Sequence, residues 1–449
     1  MSFRLSKMHL QLPFVLLALV EASFLLIAPY LAGAALPAAI IFALFSLASL
    51  FAVGLYSIRQ RCSAEGVVVR VVTAITNAVV LSALVYFFLP KLGMSRGTLA
   101  LSAAIAVLFS LTIRTLFHGV IGEHRFKRRA LVFGAGRQAA CLSELRRRAD
   151  LRGVRLVAFV AAEGDEVTIA AERMIDRPPD LHHWSLQNQI DEIVVAMDDR
   201  RRAFPSHEFL ECRLAGIAVL ELSTFLEREA GKVRLAAVNP SSIIFGDGFQ
   251  QSDLKQGLLR GFDILVSLGM LVLALPVMLV TALAIVVEDG WRAPVLFRQL
   301  RVGRYGELFH VLKFRSMRVG SEQGGAVWAA PNDPRNTKVG SCIRKTRIDE
   351  LPQLINVLRG EMSLVGPRPE RPEFVTQFEQ SLPYYRGRHV VRPGITGWAQ
   401  LCYPYGANEK DALEKLQYDL YYVKNRSLLF YLSILMQTVE VVLWTKGAR

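Results

Sequence analysis

The sequence predicts a membrane protein of combined α and α/β class. It has four N-terminal transmembrane helices, a Rossmann-like α/β domain, and a mainly helical C-terminal module containing a re-entrant membrane helix. Three observations predict this: four long apolar stretches before residue 122, a strand leading into a glycine turn and a helix just after them, and one isolated apolar segment broken by Pro276.

The chain has 449 residues, and at about 150 residues per domain that leaves room for about three domains. Hydrophobic residues make up 52% and charged residues 20%, with a mean hydropathy of +0.32. This composition excludes intrinsic disorder and is high for an ordinary soluble enzyme. Lys and Arg exceed Asp and Glu by 53 to 39, and the resulting +14 suits anionic lipid headgroups or phosphorylated ligands. Nothing in the chain supports nucleic acid as a partner. The five cysteines, Cys62, Cys141, Cys212, Cys342 and Cys402, are scattered and form no Cys-x-x-Cys. They read as reduced thiols, with neither a disulfide framework nor a zinc site.

Between Met8 and Gly122 the charged residues are Glu21, Arg59, Arg61, Glu65, Arg70, Lys91, Arg96 and Arg114. They divide the segment into apolar stretches of roughly His9 to Leu31, Leu36 to Ile58, Val67 to Leu89 and Thr98 to Ile121. Each is close to the ~20 residues a helix needs to cross a bilayer, so residues 1–124 read as a four-helix transmembrane domain. Three further apolar stretches follow the first, and the first is therefore not read as a cleavable signal peptide. Arg4, Lys7, Arg59, Arg61 and the run Arg125, Lys127, Arg128, Arg129 fall on one side, with Lys91 and Arg96 opposite. The positive-inside tendency puts the N-terminus and everything after residue 122 on the cytoplasmic side of a multi-pass membrane protein. An intramembrane carboxylate such as Glu21 is a functional candidate by default; the competing reading is protonation or a partner within the bundle.

Residues 125–235 read as a Rossmann-like cytoplasmic domain. Its strands are expected at Arg129 to Phe133, Leu156 to Val160, Glu192 to Ala196 and Ile217 to Leu220. The first runs into Gly134, Ala135, Gly136, Arg137, Gln138 and Ala139, with a helix to Arg148. Small residues at such a turn let a phosphate approach a helix N-terminus, which makes Gly134 and Gly136 candidate nucleotide-binding positions. Glu163 and Asp165 fall close to where an acidic ribose ligand would sit. The same glycines are also what tight helix packing on a sheet demands. Gly231 and Lys232 lack the other residues of a Walker loop.

Residues 236–254 read as a linker and 255–449 as the C-terminal module. Its apolar segment, Phe262 to Val287, is a spanning helix by hydropathy. A full crossing would send the basic, motif-rich remainder outside, whereas a kink at Pro276 lets the helix, about 262–287, enter and return on one face. Periodicity alone leaves both open. Leu428 to Trp444 is apolar but carries Gln437 and Glu440, and reads as an interfacial amphipathic helix.

A dense set of motifs follows the apolar segment: Phe297-Arg298-Gln299, Lys313-Phe314-Arg315-Ser316-Met317, and Thr346-Arg347-Ile348-Asp349-Glu350-Leu351-Pro352-Gln353. It continues with Gly366-Pro367-Arg368-Pro369-Glu370 and Arg392-Pro393-Gly394-Ile395-Thr396-Gly397-Trp398. Asp349 and Glu350 are expected to open a helix that Gly360 ends, Pro352 being tolerable in a first turn. A helix N-terminus favours carboxylates and phosphate alike.

These residues resemble the catalytic module of the monotopic phosphoglycosyl transferases among the bacterial sugar transferases. With the helices and the α/β domain in front, the chain resembles the long polyprenyl-phosphate hexose-1-phosphate transferases that begin exopolysaccharide or O-antigen synthesis. The resemblance is close from Lys255 to Arg449 and architectural before that. It implies that Asp349 attacks the β-phosphorus of a UDP-sugar and expels UMP, and that undecaprenyl phosphate then takes the phosphosugar. It implies Mg²⁺ at Asp349 and Glu350, with Glu350 alternatively taking a proton from the lipid phosphate. Arg368 looks like the family's phosphate-binding arginine, with Arg315, Lys313 and Arg392 as further substrate contacts. Phe314, Trp398 and Ile395 read as packing. Expected partners are the two substrates, inner-membrane lipid, a homodimer mate and downstream glycosyltransferases. The family often has Ser before the re-entrant proline, where this chain has Leu275. Pro240 to Phe249 bears a faint resemblance to members linked with exosortase-type export.

A rival reading is a membrane-tethered nucleotide-sugar dehydratase or epimerase, which uses Tyr-x-x-x-Lys. None of the twelve tyrosines has a Lys four positions on; Lys424 is only three from Tyr421. A second rival, an inactive scaffolding homologue, is opposed by the presence of Asp349, Glu350 and Arg368. The sugar itself is not legible.

Overall fold

The computed structural model describes residues 2–5, 8–56, 64–120, 127–143, 154–199, 204–235, 252–319, 335–403 and 408–443. Residues 236–251 of the expected linker, including Pro240 to Phe249, and Arg59, Arg61, Arg125 and the helix end at Arg148 lie outside these residues, while the linker's last two positions, 253 and 254, are already helical. The chain divides into two compact units, Met1–Ala237 and Val238–Arg449.

The first unit begins with a short antiparallel hairpin, β1 (Ser2–Leu5) and β2 (Met8–Gln11). Helices α1 (Leu12–Leu31), α2 (Leu36–Ala52), α3 (Ala64–Phe88) and α4 (Arg96–Val120) coincide with the four apolar stretches. Within α3 and α4, Gly66–Phe88 and Arg96–Phe117 are long and apolar enough to cross a membrane; the described apolar parts of α1 and α2 are shorter. Glu21 is fully buried and finds partners inside the bundle, as one of the two readings of it expected. Its carboxylate accepts from Ser110 Oγ at 2.6 Å and from Tyr56, and pairs with Arg114 at 2.6 Å. Arg114 also donates to the Leu55 carbonyl at 2.9 Å. One polar knot thus joins α1, the end of α2 and α4, which satisfies charges that hydrocarbon cannot solvate.

The α/β part holds five parallel strands in the order β5-β4-β3-β6-β7. They are β3 (Arg128–Phe133), β4 (Val154–Val160), β5 (Met174–Ile175), β6 (Glu192–Val195) and β7 (Ala218–Glu221). Successive side chains of a strand point to opposite faces. Ala130 and Val132 accordingly pack with α5 (Arg137–Ser143) and α8 (Leu222–Ala230), and Leu131 and Phe133 with α6 (Leu181–Gln187) and α7 (Ser206–Leu214). Helices therefore cover both faces, as a parallel sheet requires. β5 is one strand more than the sequence reading expected.

The second unit opens with α9 (Asp253–Asp289), a 37-residue helix that contains Pro276 and is long and apolar enough to cross a membrane. An antiparallel pair, β8 (Leu296–Val302) and β9 (Leu308–Phe314), follows. Then come α10 (Lys338–Lys345), α11 (Gln353–Arg359), β10 (Ser363–Val365), α12 (Pro372–Ser381) and β11 (Gly394–Thr396), which pairs in parallel with β10. The unit closes with α13 (Trp398–Cys402), α14 (Glu409–Asn425) and α15 (Leu428–Leu443). Trp398 packs on Tyr421 and Phe430, and Phe314 on Ile285 and Ile343, in accord with their reading as core residues.

Both ends of α9 are fastened within this unit. Near its start Arg260 donates to the Val357 and Leu358 carbonyls at 2.5 and 2.8 Å, and Asp263 accepts from the Leu364 amide at 3.1 Å and from Ser363 and Tyr431. At its end Glu288 accepts from the Lys338 and Val339 amides at 2.7 and 2.9 Å, and Asp289 pairs with Arg315 at 2.7 Å. Between them Leu265, Leu268, Leu273, Leu279 and Leu283 are exposed.

Candidate active site

Asp349 and Glu350 sit on a single 3₁₀ turn, Ile348–Glu350. The α-helix proper starts at Gln353, slightly later than the sequence reading expected, and Pro352 at φ −61° presets its first turn. Gly360, at φ 87°, ends it in the left-handed conformation that glycine adopts without strain. The reversal between α10 and the 3₁₀ turn is made by Arg347, a non-glycine residue at φ 60°.

The site converges on Glu350 Oε1. Arg368 lies 3.3 Å away, Arg347 3.6 Å and Lys313 3.7 Å. Lys313 is brought in by β9, which is anchored to α11 by the fully buried Asn356. Its Oδ1 accepts from the Leu312 amide at 3.0 Å, and its Nδ2 donates to the His310 carbonyl at 2.8 Å and to Glu361 at 2.7 Å. Arg368 also donates to Gln400 at 3.4 Å.

The two adjacent carboxylates are driven apart. Burial opposes ionisation of Glu350, but the charges of Arg368, Lys313 and Arg347 outweigh it and hold the carboxyl down at about 2. Asp349 is 9% exposed, and burial together with the charge of Glu350 raises it above the usual carboxylate range, against the pull of Lys313, Arg347 and Arg344. Its Oδ1 is buried without a hydrogen-bond partner among the described residues. Burial lowers Lys313, partly countered by Glu350. The result is one carboxylate held ionised by three cations on its Oε1 beside one with an oxygen that has no partner among the described residues.

Of the expected site residues, Asp349, Glu350, Lys313 and Arg368 come together. Arg315 is buried and paired with Asp289 at the end of α9. Arg392 instead donates to the Gly360 carbonyl at 2.9 Å, where with Arg260 it serves the carbonyl end of α11. Arg347 sits in the Thr346–Gln353 motif without an expected role, and its left-handed backbone and its place beside Glu350 carry no sequence signal beyond that motif.

The glycine turn is tightly filled. Asp198 accepts from the Arg137 and Gln138 amides at 2.9 and 2.7 Å, and a Cβ at Gly136 would lie 2.1 Å from its Oδ2. A Cβ at Gly134 would meet the Ala196 carbonyl at 2.3 Å. Asp165 accepts from the Ala135 and Ala162 amides at 2.8 and 3.2 Å. The amides that would face a phosphate are thus engaged by Asp198.

Residues 254–445 match the family described as bacterial sugar transferase, and residues 51–203 match one described as CoA-binding domain. The chain is 40% identical over 286 residues to a UDP-N-acetylgalactosamine-undecaprenyl-phosphate N-acetylgalactosaminephosphotransferase of Aeromonas hydrophila, covering 61% of this chain and 66% of that protein. It is 43% identical over 192 residues to a UDP-glucose:undecaprenyl-phosphate glucose-1-phosphate transferase of Escherichia coli K12, covering 42% of this chain and 40% of that one. It is 47% identical over 129 residues to a putative undecaprenyl-phosphate N-acetylgalactosaminyl 1-phosphate transferase of Bacillus subtilis, covering 29% of this chain and 71% of that one. The motifs that build the site all lie within the matched C-terminal region, and the chain belongs to the bacterial sugar transferase family.

Proposed function

We propose that the chain transfers a hexose 1-phosphate from a UDP-sugar to undecaprenyl phosphate and releases UMP, as the first membrane step of exopolysaccharide or O-antigen synthesis. The observation that carries this is the open, buried oxygen of Asp349 beside a carboxylate neutralised by Lys313, Arg347 and Arg368. The names of the three relatives supply the substrate classes.

In the first step Asp349 Oδ1 forms a bond to the β-phosphorus, the bond to the bridging oxygen breaks, and its electron pair leaves on UMP. In the second an oxygen of undecaprenyl phosphate attacks the same phosphorus and returns the carboxylate, so one hard displacement becomes two easier ones. The three cations hold the phosphate oxygens and offset the repulsion between carboxylate and diphosphate. A carboxyl held at about 2 is a weak base, which favours Glu350 as the anchor that positions the cations over Glu350 as proton acceptor. The lipid phosphate, with a second pKa of about 6, needs no base at neutral pH.

Mg²⁺ fits here only as an ion keeping much of its shell of water and phosphate oxygens. No group of three or more His, Cys, Asp or Glu able to hold a metal occurs among the described residues, and of the expected pair the Asp349 oxygen that does not attack would hold the ion, since Glu350 Oε1 is already paired with three cations. When bound it neutralises the diphosphate.

We also place α1 to α4 across the bacterial inner membrane and read α9 as re-entrant, with the N-terminus and the second unit in the cytoplasm. What supports re-entrance is that Arg260, Asp263, Glu288 and Asp289 all bind within one unit while the apolar middle is exposed.

The test is UMP release by detergent-purified protein with Mg²⁺ and undecaprenyl phosphate across a panel of UDP-sugars. One sugar should react, and Asp349→Asn should lower the rate at least about a thousandfold. Undiminished turnover in Asp349→Asn sinks the mechanism; no release with any sugar from folded protein sinks the reaction class.

A further inference from the structure

The segment that presents Arg368 is held by every carbonyl it has. Pro367 O accepts from the Gly394 amide at 2.9 Å, Arg368 O from Arg388 Nη2 at 2.9 Å, Pro369 O from Arg301 Nη1 at 3.0 Å, and Glu370 O from the Val302 amide at 3.0 Å. The two prolines fix φ and carry no N–H, so the stretch has few donors of its own and its placement depends on donors brought from elsewhere. Two of those donors are arginine side chains from distant parts of the chain.

Arg388 is 5% exposed and its guanidinium is fully committed. Nε and Nη2 grip Asp419 Oδ2 at 3.0 and 2.8 Å, Nη1 donates to Tyr385 Oη at 2.8 Å, and Nη2 reaches the Arg368 carbonyl. Asp419 is 2% exposed and lies on α14. Arg301, on β8, donates from Nε to Gln299 Oε1 at 3.1 Å and stands 3.7 Å from Glu370. A planar guanidinium anchored to a fixed acceptor directs its remaining N–H along one line, which a lysine cannot do.

We propose that Arg388 and Arg301 are positioning residues that set the direction of the Arg368 guanidinium by clamping its backbone from both sides. They touch no substrate. Asp419 orients Arg388, Gln299 orients Arg301, and between them the phosphate-binding arginine is aimed before the donor arrives. Preorganisation of this kind is where small displacements cost rate: a misplacement of about 1 Å can lower it about 100-fold. The inference rests on the proposed transferase reading, in which Arg368 binds the donor diphosphate.

The test is a double-mutant cycle on UMP release, with UDP affinity measured by calorimetry and thermal melting run in parallel. Arg368→Ala comes first and should weaken both UDP binding and turnover. Arg388→Lys keeps the charge opposite Asp419 and should lower kcat/KM about 10- to 100-fold in the parent. The same change in the Arg368→Ala background should cost less than about twofold, because a residue that acts through Arg368 has nothing left to aim. A loss of equal size in both backgrounds marks a general structural role and overturns the proposal, as does full activity in Arg388→Lys. If Arg388→Lys does not fold, Arg301→Lys, which leaves the Arg388–Asp419 pair intact, decides by the same criterion. Wild-type protein that neither releases UMP nor binds UDP overturns the functional reading and the proposal with it, whereas an active wild type insensitive to Arg368→Ala overturns the clamp alone.

Discussion

Asn356 Oδ1 accepts from the Leu312 amide at 3.0 Å, one residue before Lys313, and so ties the helix after the carboxylates to the strand that delivers their lysine. Asn356→Leu leaves the buried Leu312 amide and the part-buried His310 carbonyl without their Asn356 partners. It should destabilise the protein by about 3 kcal/mol, at about 1 to 3 kcal/mol for each orphaned group. It should also weaken UDP binding, because Lys313 is no longer held in register. Thermal melting and calorimetry check the two effects.

The pH profile follows from the split between the carboxylates. In the proposed mechanism Asp349 acts as a carboxylate, and its pKa is raised, so kcat/KM should fall as pH drops through a value above the ordinary ~3.9 of aspartate. Glu350, at about 2, stays ionised throughout that limb. The charge of Arg344 lowers the Asp349 pKa, and Arg344→Met should therefore move the acid limb to higher pH. A limb unchanged or moved down would assign it to another group.

Arg347 combines a left-handed backbone with a half-exposed guanidinium 3.6 Å from Glu350. That conformation costs an L-residue about 1–2 kcal/mol and is better tolerated by Asn. Arg347→Asn should stabilise the fold by about 0.5–1 kcal/mol and raise the KM for UDP-sugar about fivefold, opposite effects that melting and initial rates separate.

Breaking a buried ion pair costs about 3–5 kcal/mol, and replacing both partners with apolar groups is often neutral. Glu21→Leu should accordingly lower stability in detergent by about 3 kcal/mol, and Glu21→Leu with Arg114→Leu should recover most of it. A double variant no better than the single one would mean that the contacts to Tyr56, Ser110 and Leu55 outweigh the pair.

Much of this was legible in the sequence because some residue types leave few alternatives. The apolar stretches gave α1 to α4, short apolar runs after the basic residues gave the central strands, and Asp349, Glu350, Lys313 and Arg368 meet in space. Arginine was the hard case. Arg315 and Arg392 carry the same guanidinium as Arg368, yet one meets Asp289 and the other a helix-end carbonyl. Arg388, Arg301 and Asn356 act through backbone carbonyls and amides, which no spacing rule reveals. Gly134 and Gly136 were read with two meanings; in the structure they admit the close approach of Ala196 and Asp198.

A helix that crosses a bilayer can tilt to match the thickness it finds. α9 has its two ends riveted, by Arg260 and Asp263 at one and by Glu288 and Asp289 at the other, to the unit that carries Asp349. If α9 is re-entrant as proposed, the length of apolar helix offered to lipid is a property of the chain and not of the surrounding bilayer. On the proposed reading, the height of Asp349 above the lipid surface is set in the same way, so that it would meet a lipid phosphate at one depth whatever the thickness of the membrane below.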